Sequence, residues 1–232
     1  MKTMKNFLSL LAASSLLVAC NSNTPEANVK TEEAKEVAKS GDQAQHYNLV
    51  EKGDEIEWRG YKTYADGSHY GTLQVQDGEF VVEEGKLTSG NFVIDMNSIH
   101  SVDLAENKDK YGKLVGHLKS NDFFAVDSFP TAKFSITEVK VAPESDTTNA
   151  THHVSGNLTL RGITKNITIP AQVEMNDQMV SFATPEFVID RSKWNVKFRS
   201  TSFAEFADIA KEKAIDNSIQ LKVDLTAEQA AS

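Results

Sequence analysis

Between residues 46 and 228 one pattern recurs along the chain: short segments in which apolar and polar residues alternate. Ile56-Glu-Trp58, Phe92-Val-Ile94-Asp-Met96, Val154-Ser-Gly-Asn-Leu158-Thr-Leu160, Ile167-Thr-Ile169, Phe187-Val-Ile189 and Ile219-Gln-Leu221-Lys-Val223-Asp-Leu225 all repeat with a period of two. In an extended chain successive side chains point to opposite faces, so each segment is predicted to be a strand with one buried and one wetted face. Asp66-Gly67, Asp77-Gly78 and Asn176-Asp177 fall between such segments and read as turns. The pattern predicts one antiparallel β domain.

Two stretches break the alternation. Asp103 to Lys119 carries Leu104, Tyr111, Leu114, Val115 and Leu118 at helical spacing, behind an acidic first turn. Phe203 to Ala214 is a shorter helical candidate, with Phe206 and Ile209 on its inner face. Helices are therefore expected as one or two accessories to the sheet. Many strands of similar length allow either a sandwich or a barrel. The residue pattern alone leaves both open.

The ends of the chain add a location. Lys2 and Lys5 precede an apolar run from Phe7 to Ala19, too short to span a bilayer and of the right length for the core of an export signal. Residues 1–19 are read as that signal. The run ends in Leu17-Val18-Ala19-Cys20, which resembles a bacterial lipobox, where the chain is cut before a cysteine whose thiol takes a diacylglyceryl group. Cys20 is the only cysteine, so it has no disulfide partner, and acylation by palmitate-type chains accounts for it. The mature protein is expected on a membrane without crossing it. Asn21 stands where an aspartate retains many bacterial lipoproteins at the inner membrane, which favours the outer membrane, periplasmic face.

Residues 20–45 are read as the lipidated end and a flexible tether, because the stretch lacks aromatic residues and has only two valines to bury. Loss of Met1–Ala19 takes two lysines and no acid from a formal charge of −9, leaving −11. That balance argues against nucleic acid as a partner, and against anionic lipid headgroups as the main binding surface.

One stretch carries more aromatic surface than a connection normally does. His117-Leu118-Lys119-Ser120-Asn121-Asp122-Phe123-Phe124-Ala125-Val126, followed by Phe129-Pro130-Thr131-Ala132-Lys133-Phe134, resembles the motif H-L-x-S-x-D-F-F-D-V-x-x-F/Y-P-x-x-x-F of the YceI-like family of polyisoprenoid-binding, lipocalin-like proteins. Val154-Ser-Gly156-Asn-Leu158-Thr-Leu160-Arg161-Gly162-Ile163-Thr164-Lys165 is similar to that family's V-x-G-x-L-T-L-R-G-V-T-K. Phe187-Val-Ile189-Asp190-Arg191-Ser192-Lys193-Trp194 is similar to its F-x-I-x-R-S-x-F/W. Gly116 stands where the family often has an acid, and Asn195 where it often has glycine; asparagine is among the few residues that tolerate positive φ. The segment 103–119 is also longer than the usual family version.

The resemblance implies an all-β, extended lipocalin-like antiparallel barrel of about eight strands, closed at one end. Its interior would hold a long isoprenoid lipid, such as a polyprenyl phosphate or a quinone tail, with no further cofactor. Trp58, Phe92, Ile94, Phe123, Phe124, Phe134, Phe182, Phe187, Trp194 and Phe198 are then candidates for the channel wall, and equally for ordinary core. Asp122 is placed to cap a helical turn that folds Phe123 and Phe124 over the barrel's edge. His117, Arg161, Lys165 and Arg191 are the basic groups of the motifs and candidates for a polar head group, although residues 161–165 also read as a plain strand connection.

Enzyme readings lack support. The six histidines show no metal-binding spacing, and there is no nucleophile elbow, phosphate loop or second cysteine. The alternative is an envelope stress or interaction lipoprotein with a filled core that acts through its surface. A lipid-modifying enzyme using His117 and Asp122 ranks behind it. Oligomeric state is open, with a homodimer one option.

Overall fold

The computed structural model describes residues 24–37, 39–41, 43–50, 55–64 and 67–230. The export signal and Cys20 lie outside them. Among the described residues eleven strands form one antiparallel sheet: β1 (Lys30–Glu33), β2 (Gln45–Leu49), β3 (Glu55–Lys62), β4 (Ser68–Glu83), β5 (Lys86–Ser101), β6 (Thr131–Val141), β7 (His152–Leu160), β8 (Ile163–Met175), β9 (Met179–Ala183), β10 (Phe187–Asp190) and β11 (Ile215–Gln229). Strands β3 to β9 pair in succession, β9 pairs with β11, and β11 returns to β3. Eight strands thus close a ring, which removes the sheet edges and selects the barrel over the sandwich.

Short strands complete the wall. At the far end β2 fills the space between β4 and β11. At the other end, which we call the mouth, β10 pairs with β11 through Phe187↔Leu221 to Asp190↔Ser218.

The chain before residue 46 departs from the expected tether. Lys30–Glu33 pair with Thr168–Lys165 as an edge strand on β8. Just before them, Asn28 N donates to Val188 O at 3.2 Å, and its Oδ1 accepts from Val188 N at 2.8 Å. This segment therefore bridges the free edges of β8 and β10. Asn157, on the outer face of β7, then accepts from Lys35 N at 3.0 Å and donates to Lys35 O at 2.7 Å. Composition had forecast no fold here because the segment buries little; its order comes from backbone bonds to an edge that only the folded barrel supplies.

Turn chemistry sets the connections. Arg161 and Gly162, both at positive φ, join Leu160 to Ile163 as the two-residue hairpin turn whose twist matches the strands. Asn176 accepts from Gln178 N and Met179 N and makes the turn between β8 and β9. Asp77-Gly78 is not a turn. It lies inside β4 beside a register shift, where Gly78 leaves room for Leu49 Cδ1 and the Phe92 ring.

One α-helix, α1 (Lys108–Lys119), lies on β5 at the mouth. It starts five residues later than the periodicity suggests. Asn107 Oδ1 caps it through Lys110 N, while Asp103 is held by Ser101, Tyr70 N and His69 instead. The second predicted helix is absent: Ala204–Phe206 and Lys211–Lys213 are single 3₁₀ turns, and neither has a side-chain cap. So short a segment cannot offset the cost of helix nucleation on its own.

Gly156 on β7 sits under the Phe134 ring, and a methyl there would stand 2.6 Å from Cε2 and 2.8 Å from Cε1 of that ring. Gly156→Ala is expected to cost about 1–3 kcal/mol through overpacking. In urea unfolding, the midpoint should fall with the slope unchanged.

Candidate functional site

Side-chain size varies along the barrel axis, and this variation decides where space is left. Toward the far end the Phe80 ring packs on Phe92 at 4.8 Å and on Phe182 at 5.5 Å, with Tyr47, Val180 and Ala227 buried around them. That end is filled. Toward the mouth the inward positions carry aliphatic residues and Gly60, and a Cβ built on Gly60 meets nothing within 4 Å. There a cavity of about 540 Å³ opens, with Ile94, Leu158, Leu221 and Ile56 at its floor. A second void of about 80 Å³ below shares those four residues and reaches the phenylalanine plug. The two apolar voids are divided by these four side chains, and the phenylalanine plug lies below the smaller.

Trp58, Ile94, Phe123, Phe124 and Phe198 line the main cavity. Phe92, Phe134, Phe182 and Phe187 surround the smaller void. Trp194 lines neither. It is fully buried, and its Nε1 donates to Leu158 O at 3.0 Å, behind the channel wall. Leu73, Met96, Ile99 and Ile219 complete the wall, and Leu114 and Leu118 of α1 roof it. Period-two alternation marks Met96 and Ile219 as inward, but nothing in the residue pattern separates wall from packed core.

The double phenylalanine belongs to a built lid. After α1, Ser120 Oγ accepts from Asp122 N at 3.3 Å, so Ser120, and not Asp122, caps the turn. Asp122 instead lies 3.3 Å from His117 Nε2. Ala125 takes φ +50, a conformation costly for a residue with a Cβ, and donates to Ser120 O. This turn drives Phe123 inward to 6 % exposure, edge-on to His117 at 5.4 Å and near Phe198 at 6.0 Å. His117 also meets Phe198 edge-on at 4.4 Å, so rings close over the channel.

The four basic candidates separate. Arg161 donates to Phe123 O at 2.8 Å, Asn121 O at 2.9 Å and Asn195 O at 3.3 Å, which staples the lid to the β7–β8 turn. Lys165 pairs with Glu33 of β1 at 2.6 Å on the outside of the barrel. Arg191 does border the cavity but is 1 % exposed, and it donates to the carbonyls of Asp216, Val196, Phe198 and Ile215. Burial pushes its guanidinium down to about 10, partly countered by Asp216 and Asp190. Four of its five N–H donors hold β11 to the loop after Trp194. Only His117 stands at the rim with an edge on the channel, joined there by Lys62, His69, Arg199 and Lys213, which residue-level reading had passed over.

Residues 47–227 match the family model of the YceI-like domain. The chain belongs to the YceI-like family. Its Asn195, in the place of the family glycine, takes φ +58 at the end of the 3₁₀ turn Arg191–Trp194, as asparagine can. A UPF0312 protein of Pseudomonas aeruginosa (strain LESB58) is 36% identical over 105 residues, which are 45% of this YceI-like chain and 48% of that protein. Protein YceI of Salmonella arizonae is 36% identical over 106 residues, with the same shares. The chain thus spans about half the length of the curated relatives it matches. Among solved structures, Burkholderia cenocepacia BcnA superposes with a TM-score of 0.52 at 20% identity, covering 77% of this chain and 99% of that one. A polyisoprenoid binding domain from Saccharophagus degradans, implicated in plant cell wall breakdown, gives 0.52 at 14% identity, covering 79% and 98%. At these identities the likeness is one of fold.

Two outcomes are expected. Arg191→Lys keeps the charge but cannot fan out to four carbonyls, and should cost about 3 kcal/mol or more in denaturant unfolding, at roughly 1.5–3 kcal/mol per charged hydrogen bond. The Asp103 carboxyl is raised by burial but lowered more by bonds from His69, Ser101 and Tyr70 N, so it lies below its ordinary 3.8. Its contribution to stability is present above pH 3.8 and lost as pH falls through its folded value. NMR titration should give a midpoint under 3.8, and Asp103→Asn should remove that part of the acid sensitivity.

Proposed function

We propose that this chain is a bacterial envelope lipoprotein, exported and acylated at Cys20, that holds the hydrocarbon tail of a long isoprenoid lipid in the hollow half of its barrel. The observation that carries this reading is the cavity of about 540 Å³, roofed by the phenylalanine lid, with a smaller apolar void beneath it. A blind, apolar, elongated hole suits a chain that is featureless along its length and polar at one tip. The naming of the Saccharophagus degradans domain as polyisoprenoid binding supports the same ligand class.

Affinity in such a site comes from length. At about 0.3 kcal/mol per non-hydrogen atom, each five-carbon unit adds about 1.5 kcal/mol. A polar head would remain at the rim, where Lys62, Arg199 and Lys213 lie, and not on the buried Arg191, four of whose five N–H donors already hold carbonyls. The wall offers no hydrogen-bond pattern along the tail, so discrimination among prenyl lipids should be weak. We read the protein as a carrier or store that makes and breaks no covalent bond, with the outer membrane as its site.

Native mass spectrometry of protein purified from bacterial membranes should show an added mass matching a prenyl lipid, or uptake of added polyprenyl phosphate or quinone. An empty protein that takes up neither would overturn the proposal and favour the surface-acting alternative. Gly60→Leu projects four carbons into open cavity, displaces about one isoprene unit and should weaken uptake about tenfold. The unfolding midpoint should not fall, because no neighbour lies within 4 Å of the new Cβ.

A further inference from the structure

We infer that the mouth of the cavity is the face of this protein that meets the membrane, so that lipid passes between bilayer and barrel without crossing water. The inference rests on the acylation of Cys20 proposed above. Thr24 lies against the mouth: its Oγ1 is 3.5 Å from the carbonyl of Lys62, a residue that lines the cavity. From there the chain is tied down at Asn28 and paired along β8 from Lys30 to Glu33. Cys20 precedes Thr24 by four residues, which span at most about 14 Å. An acyl group on Cys20 therefore enters the bilayer beside the opening.

The far end cannot take its place. Strand β11 runs from the mouth to the far end in 15 residues. At ~3.3 Å per residue and a usual barrel tilt, it separates the ends by roughly 40 Å.

Exposed aromatic rings gather at the same end, whereas the exposed apolar groups of the far end are Val141 and Met179. Around the mouth Lys211 Nζ lies 5.4 Å from the centre of the Tyr64 ring, the Arg59 guanidinium 4.7 Å from that of Tyr70, and Lys197 Nζ 5.4 Å from that of Phe203. Tyr64 is 55 % exposed and Tyr70 39 %, a large outlay of ring surface for a chain this acidic. Rings paired with long cationic stems suit the headgroup layer, where apolar body and charge are each solvated. Acids occur at both ends, Glu83, Glu84 and Asp177 at the far turns and Asp122, Glu205 and Glu212 at the mouth, so the ring and cation pairs, and not net charge, distinguish the mouth. A bilayer is thus the occupant that both leash length and rim chemistry select.

The test uses the full chain made and exported in bacteria, with acylation read from the intact mass. Cys20 is the only native cysteine, and once acylated it leaves an introduced cysteine as the one free thiol. Tyr64→Cys at the mouth and Asp177→Cys at the far end, both exposed, would carry a bimane label. Each would be placed on phosphatidylethanolamine and phosphatidylglycerol vesicles containing a spin-labelled lipid. Quenching should be about fivefold stronger or more at position 64, given roughly 14 Å of leash against roughly 40 Å of barrel. Loss of the Tyr64 ring works against this outcome, so a positive result is conservative. Equal or inverted quenching on acylated protein would overturn the orientation while leaving anchor and lipid binding in place. An unmodified Cys20 would remove the anchor and the orientation together, and uptake of isoprenoid by the barrel would still be decided by its own assay.

Discussion

Closure of the sheet with eight strands is the constraint from which the rest follows. An eight-stranded ring is just wide enough to be filled by its own side chains or to hold one slender ligand. Which of the two happens is then decided level by level, by the size of the inward residues. Where Phe80, Phe92 and Phe182 converge, dispersion contacts replace space. Where Gly60, Ile219 and Leu158 form the wall, a hollow remains. The same ring removes nearly all exposed edges, and the short ones left on β8 and β10 are taken by the chain before residue 46.

Polar side chains at the mouth serve mostly as fasteners. Arg161 and Arg191 together engage seven carbonyl contacts of the lid and of the segments flanking Trp194 and β11. Five of those carbonyls belong to irregular backbone that no ladder satisfies and two to the start of β11 beside a register shift, and a guanidinium with five donors in one plane is well matched to gather them. The rings of Phe123, Phe198 and His117 are held in place by this backbone. The lid is consequently a preset structure over a cavity, with its cost in the positive φ of Ala125 met by surrounding bonds.

Much of this architecture could be read from the residues. Alternation in Ile56–Trp58, Val154–Leu160 and Ile219–Leu225 located strands and their inner faces, because a period of two is a local property of an extended chain. The family motifs pointed to the barrel and to the lid. Misplaced features were those with a competing partner elsewhere: Asp103, drawn to His69 and Tyr70 and so lost to the helix; Asp77-Gly78, a turn signal overridden by a continuous strand; and residues 30–33, ordered by the edge of β8.

The sequence by itself determined that the chain is a β protein of this family, with apolar faces enough to line a barrel. Only the tertiary structure decided which rings fill and which surround. Trp194 and Trp58 are the same residue type, yet one is sealed behind the wall and the other borders the cavity. It also decided that Arg191 is a brace and that the N-terminal segment closes a seam. The physical reason is that alternation reports the face on which a side chain lies, whereas empty volume depends on what stands opposite, across a ring closed by residues far apart in the chain.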